Sequence, residues 1–304
     1  MLGFINLNKP AGFTSHDCVA RVRRLLHIKK VGHGGTLDPA ATGVLPIAVG
    51  KATRLLQFLP DNKAYLACIR LGMRTTTDDL EGEIIETKPG VNLSLPQIEK
   101  CLSHFVGEIE QIPPIYSAIK RKGKNLYELA RKGEIIDIPP RMVTIEKIEI
   151  VNFFPGEFTE LELKILCGPG TYIRSIARDL GTVLGVGGTL ANLIRTESCG
   201  MKLADSLTLE ELAIQIERGT FQLIEPERAL QNLDTFFLNS TESRSWCQGQ
   251  CIYLNLEKYS DKKIIENTEY PIKVQQKNGD FLGIGICSFE GDKLEIMPKI
   301  VCAN

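Results

Sequence analysis

A lone carboxylate stands out among the residues whose type and spacing could do chemistry. Asp38 lies in the run Gly32-His33-Gly34-Gly35-Thr36-Leu37-Asp38-Pro39-Ala40-Ala41-Thr42-Gly43-Val44-Leu45-Pro46. Pro39 pushes the residue before it out of the helical region, so Asp38 is held extended. The glycines let backbone or a ligand approach closely. Such a stiffened loop suits a positioned acid, base or nucleophile. An isolated Asp-Pro is also a plain turn former, so the dipeptide alone leaves both readings open. The run is not a nucleotide-phosphate loop: it has no G-x-G-x-x-G after a strand, and Gly50-Lys51 is followed by Ala52 rather than Ser or Thr. His33 sits five residues before Asp38 and fits hydrogen bonding or stacking. The other histidines (His16, His27 and His104) show no ligand spacing, so no metal is expected. Tyr65 offers either a β-forming, part-buried ring or a flat face for a base. Arg174, just after Tyr172 at a helix start, is unexpected, because cations are disfavoured there. A buried carboxylate partner or a surface position would each explain it.

The elements that must carry these residues follow from periodicity. Residues 4–8 read as a strand ended by Lys9-Pro10-Ala11-Gly12. Thr14 and Asp17 have the spacing of a capping box, and Val19, Val22, Leu25 and Leu26 recur at helical intervals, so 16–27 is expected to be a helix. A glycine-rich loop over 31–43 leads into buried strands at 44–49 and 64–71. Residues 95–106 have helical periodicity, and 141–153 and 159–167 are strand candidates. Thr171 is placed to cap a helix with the stripe Ile173, Ile176, Ala177, Leu180 and Leu184. After about residue 242 the texture changes to short β-rich runs, with turns at Asn278-Gly279 and Glu290-Gly291-Asp292.

Composition bounds the class. The chain has 304 residues, 43% hydrophobic and 24% charged, with a net charge of -1, which fits a globular enzyme with a real core. There is no apolar run of membrane-spanning length and no signal-peptide pattern at the N-terminus. Nine scattered cysteines, an odd number, argue against a disulfide framework, and a reducing cytoplasm is expected. Residues 1–74 hold eleven basic side chains against three acidic. Residues 118–132 add six more against Glu128, whereas 205–242 carry eight acids against Arg218 and Arg228. A basic region of this kind is a footprint of nucleic-acid binding, and equally of an ordinary solvated face.

Several segments together resemble one family. The Gly32–Pro46 run is similar to the signature loop of bacterial tRNA pseudouridine-55 synthases. So are Asn8-Lys9-Pro10-Ala11-Gly12-Phe13-Thr14-Ser15, Lys63-Ala64-Tyr65, Pro113-Pro114-Ile115-Tyr116-Ser117-Ala118-Ile119-Lys120, Leu126-Tyr127-Glu128-Leu129-Ala130-Arg131 and Gly170-Thr171-Tyr172-Ile173-Arg174-Ser175-Ile176. The 113–131 segment resembles the stand-alone branch rather than the guide-RNA-dependent one. The tail is less similar, through Met297-Pro298-Lys299-Ile300-Val301 alone.

The resemblance implies an α+β fold: a mixed, largely antiparallel sheet with flanking helices over residues 1–242, and a small all-β RNA-binding module over 243–304. It implies isomerisation of a TΨC-loop uridine of tRNA, position 55, without cofactor, metal, membrane or required protein partner, in the cytoplasm and by a monomer. Asp38 would be the catalytic carboxylate, Arg174 the cation that keeps it charged, and Tyr65 the ring stacked on the base. Leu193 would line the base pocket and His33 would contact the everted RNA, with Lys9, Gly34, Thr36 and Tyr172 also at the substrate. The basic N-terminal helix and the 118–132 cluster would meet phosphates. A non-catalytic tRNA-binding protein and a glycoside or nucleoside hydrolase are the rival readings; the latter chemistry uses a second carboxylate, and the loop itself offers none.

Overall fold

The computed structural model describes residues 1–117, 120–121, 124–125, 138–255, 269–290 and 293–303. The main sheet runs in the order Leu2–Lys9, Thr42–Gly50, Gly188–Ser198, Lys63–Leu71, Glu160–Cys167, Arg141–Phe154 and Gly107–Gln111. Val31–His33 and Met201–Lys202 attach at its sides. Every pairing is antiparallel except one: Gly188–Ser198 meets Thr42–Gly50 in parallel, with Ile194 opposite Thr42 and Arg195 opposite Gly43. The expected mixed, largely antiparallel sheet is therefore present, and its single parallel seam lies at the end of the glycine-rich loop.

Alternation along the strands decides what covers each face. Ile5, Leu7, Leu45, Ile47 and Val49 pack under the Ser15–Leu26 and Leu209–Glu217 helices. Phe4, Val44 and Ala48 point the other way, onto Ile284, Ile300 and Cys302 of the C-terminal module. A third cluster joins Ile173, Ile176, Ala177 and Leu180 of the Ile173–Val183 helix to Tyr65, Ala67, Ile69, Leu161, Leu163 and Leu193 of the sheet. The Thr14 capping box forms as its spacing predicts, with Asp17 Oδ2 accepting from Thr14 N at 2.9 Å. Thr171 does not cap its helix. Its hydroxyl donates to Gly168 O, and Gln111 does the work instead: Oε1 accepts from Tyr172 N at 2.8 Å, and Nε2 donates to Tyr172 O at 3.1 Å. A side chain 61 residues away in sequence leaves no local pattern to read.

The second sheet has five strands, in the order Thr235–Leu238, Tyr270–Gln276, Phe281–Glu290, Lys293–Val301 and Ile252–Asn255. It draws its first strand from ahead of residue 243. It is not purely β: the Ser240–Cys247 helix drops Trp246, fully buried, into its core. The Asn278-Gly279 turn closes a hairpin, with Gly279 at φ 98°. The Gly291-Asp292 turn, the Leu126–Arg131 segment and most of the 118–132 basic cluster lie outside the described residues. Among the described residues no helix is long and apolar enough to cross a membrane.

Candidate active site

The loop that carries Asp38 is tied down on both sides. The Lys9 ammonium donates to Phe13 O at 2.6 Å, Pro10 O at 2.9 Å and Pro39 O at 3.0 Å. Ser15 and Leu37 exchange two hydrogen bonds through the serine hydroxyl. Ala41 N donates to Asp38 O at 3.1 Å. From below, Arg195 Nε donates to Val44 O at 2.7 Å, Nη2 to Gly35 O at 3.1 Å and Nη1 to Thr36 O at 3.4 Å. Asp38 thus sits between residues that are each fixed, a preorganised placement that short-range sequence rules only suggest.

Gly43 shows how tight this seam is. Its φ is 104°, and a Cβ there would stand 2.3 Å from Arg195 O. Gly43→Ala is expected to destabilise the protein by about 3 kcal/mol or more, through both strain and a backbone clash. Denaturant unfolding measures this, and an unchanged midpoint would contradict the seam's geometry.

Opposite Asp38, the first turn of the Ile173–Val183 helix presents Arg174. Its Nη2 lies 2.9 Å from Asp38 Oδ2, and its Nη1 lies 3.5 Å from Asp79 Oδ2. The same guanidinium donates to Thr77 O at 3.2 Å and Tyr116 O at 2.9 Å. The Arg174 side chain is 6% exposed and that of Asp79 13%, against 40% for Asp38. Two carboxylates offset the unfavourable helix dipole at this position. Asp79 is in turn held by Thr77 Oγ1 and the Glu81 amide. The Thr75–Asp79 run is the only sequence sign of this second carboxylate, and it reads as a turn rather than as a partner for Arg174.

The electrostatics differ from simple ion pairing. Desolvation pushes the Asp38 carboxyl above its ordinary value; Arg174 opposes the shift, and the Asp79 charge adds to it. Burial outweighs the salt bridge, so Arg174 limits the rise rather than depressing the pKa. Tyr65, buried beside Leu193 and one strand over from Arg195, has its phenol pushed up to about 12 by burial, with Arg195 opposing. At neutral pH it remains a neutral ring with an O–H. Tyr172 is half-buried, and burial raises its phenol too. His33 is half-buried with its imidazole pKa lowered, first by desolvation and then by His16 and Arg195. It therefore favours the neutral form, suited to stacking or hydrogen bonding.

The structure brings Asp38, Arg174, Tyr65 and Leu193 to one end of the sheet, beside the loop that carries His33, Gly34 and Thr36. Lys9 is different from expectation: it is fully buried, and its ammonium is engaged by three carbonyls of the loop wall. It supports the loop rather than reaching for a ligand. Two residues that sequence patterns did not single out belong to the site's frame: Asp79, and Arg195, which is fully buried and donates only to backbone carbonyls.

Comparison with known proteins agrees with this arrangement. Residues 23–173 match the N-terminal domain of the TruB family pseudouridylate synthases. The chain is 59% identical over 309 residues to the tRNA pseudouridine synthase B of Gloeothece citriformis, covering 99% of this chain and 97% of that protein. It is 56% identical over 285 residues to the protein of that name in Trichormus variabilis, covering 94% of each. Among solved structures, an H/ACA RNP bound to a substrate RNA containing 2'-deoxyuridine shares the fold, with a TM-score of 0.73 at 24% identity over 99% of this chain and 85% of that one. With relatives this similar over nearly its full length, the chain belongs to the TruB family of pseudouridylate synthases.

Proposed function

We propose that this isomerase acts on tRNA, at the TΨC-loop uridine of position 55, without guide RNA, protein partner or cofactor, and that Asp38 is its catalytic carboxylate. The observation that carries the reading is the 2.9 Å Asp38–Arg174 pair, set in a clamped loop beside the buried ring of Tyr65. The curated relatives, named tRNA pseudouridine synthase B, support tRNA as the substrate. A uridine stacked in a folded loop hides its glycosidic bond, so it must be everted first, at a cost of a few kcal/mol that stacking and phosphate contacts offset. The reaction then breaks the N1–C1′ bond, turns the uracil, forms the C5–C1′ bond and moves a proton from C5 to N1. Nothing is oxidised or reduced. An ionised Asp38 serves whether it attacks C1′, attacks the ring or removes a sugar proton. Tyr65, as a neutral phenol, stacks on the base, and Leu193 closes the pocket floor.

The test is to incubate unmodified tRNA transcript with the protein and map pseudouridine by carbodiimide adducts and primer extension. A single product at the T-loop uridine is expected. Release of free uracil would show hydrolysis instead, and tRNA binding without product would leave only a binding protein.

A pH dependence follows from the site. Because Asp38 must be ionised and its pKa lies above the ordinary aspartate value, turnover is expected to fall on acidification with an inflection above that value. A rate profile flat to the usual carboxylate range would remove Asp38 as the titrating group.

A further inference from the structure

A second feature lies one side chain from the active loop. The end of the Ser15–Leu26 helix, the Lys29-Lys30 pair and the short Val31–His33 strand enclose an open groove of about 680 Å³. Arg23, Lys29, Lys30, His16, His33 and Thr53 supply its polar wall, and no carboxylate lines it. Among the described residues none of Arg23, Lys29 and Lys30 forms an ion pair. The nearest acid on the helix, Asp17, is occupied in the capping box. A helix C-terminus by itself repels anions, so any attraction comes from these side chains. The volume exceeds what a single phosphate needs and falls in the range of nucleotide-sized ligands.

The groove is continuous with the catalytic loop through His33. Its ring meets that of His16 edge-on, with centroids 5.4 Å apart at 81°. His33 therefore stands at the boundary, one side towards the Asp38 loop and the other in the groove. Arg23 also fixes the far wall, donating to Val31 O at 2.9 Å. A chain whose nucleotide is everted at Asp38 would leave the site across the His33 ring and present its next phosphates to Lys29 and Lys30.

We propose that this groove is a second RNA subsite, taking the phosphodiester backbone that flanks the everted uridine. It rests on the reading of an RNA substrate given above, and adds which face of the basic N-terminal region does the binding: the groove wall of Arg23, Lys29 and Lys30, not the exposed Arg21 and Arg24. The subsite contributes affinity and register, while the chemical step stays with the Asp38 site.

The test uses full-length protein carrying Lys29→Gln and Lys30→Gln together, with Lys100→Gln and Lys147→Gln as a charge-matched control at the other end of the sheet. Affinity for unmodified tRNA is measured against salt concentration. Each lost phosphate contact should lower the log–log salt slope by about one. The groove variant is expected to lose about two units of slope and bind about tenfold more weakly at 0.1 M salt, with kcat at saturating tRNA unchanged and the same melting temperature. The control should keep the wild-type slope. Phosphate-ethylation interference should show lost contacts within a few nucleotides of the target uridine.

An unchanged slope and affinity in the groove variant would overturn the proposal, as would lost contacts confined to a distant stem. The outcome is separable from that of the proposed function. Wild-type protein that binds tRNA with groove-dependent salt sensitivity yet forms no pseudouridine keeps the subsite and removes the tRNA-isomerase assignment. Failure of the wild type to bind tRNA removes both.

Discussion

Asp38→Asn is expected to lower pseudouridine formation by at least about 10⁴-fold, the scale seen when a reacting side chain is removed from a preorganised site. Asparagine keeps the volume and can still accept from Arg174, so tRNA affinity should change little. Stability should not suffer. A carboxylate whose pKa rises on folding stabilises the fold fully below its ordinary value and loses that contribution as pH climbs through the raised one. Asp38 is of this kind, so at neutral pH its charge opposes folding. Asp38→Asn should melt at the same temperature as the wild type or higher at pH 7, with the difference vanishing towards pH 4. Measurable turnover in the asparagine protein would exclude a direct role for the carboxylate, and a lower melting temperature at pH 7 would contradict the electrostatic account.

Arg174→Met has the second-largest expected effect, and it separates chemistry from architecture. Removing the guanidinium leaves Asp38 near Asp79 with no cation between them and two backbone carbonyls unpaired. Loss of one partner from a buried pair is worth about 3–5 kcal/mol, a fall in melting temperature on the order of 10 °C. Turnover should fall by about 10²–10³-fold with little change in KM, and the acid inflection of the rate profile should move to higher pH. Adding Asp79→Asn should recover part of the stability, because it removes an uncompensated buried charge, but not the rate. If the single variant keeps the wild-type kcat and pH profile and loses only stability, Arg174 is structural and not part of the reacting machinery.

Local signals in the sequence were enough for the elements that flank the site. The Thr14 capping box, the Ile173–Leu184 stripe and the Asn278-Gly279 hairpin each rest on residues within one or two turns of each other, where period and cap chemistry act. Asp38 was recognisable as a presented carboxylate because proline and glycine constrain backbone locally. Its partner was readable only as an anomaly, a cation at a helix start, and became specific through resemblance to a family. What stayed hidden depends on distance along the chain. Asp79 reads as a turn residue until the fold sets it against Arg174. Gln111 gives no sign that it will cap a helix 61 residues on. Lys9 looked like a ligand contact, since nothing nearby in sequence shows that three carbonyls will surround its ammonium. The Ser240–Cys247 helix, too short for a clear period, was absorbed into a β-rich reading.

The hydrogen bonds by which Arg195 holds the Asp38 loop span 151 to 160 residues of chain, and the strand that supplies it ends only at Ser198. Contacts of such separation form late and slowly. During synthesis at about 5–20 residues per second, Asp38 leaves the ribosome on the order of ten seconds before its clamp does. A nascent chain that already exposes the carboxylate therefore has no working catalyst until most of the polypeptide has been made, so half-finished molecules cannot modify the tRNAs crowding the translation machinery around them.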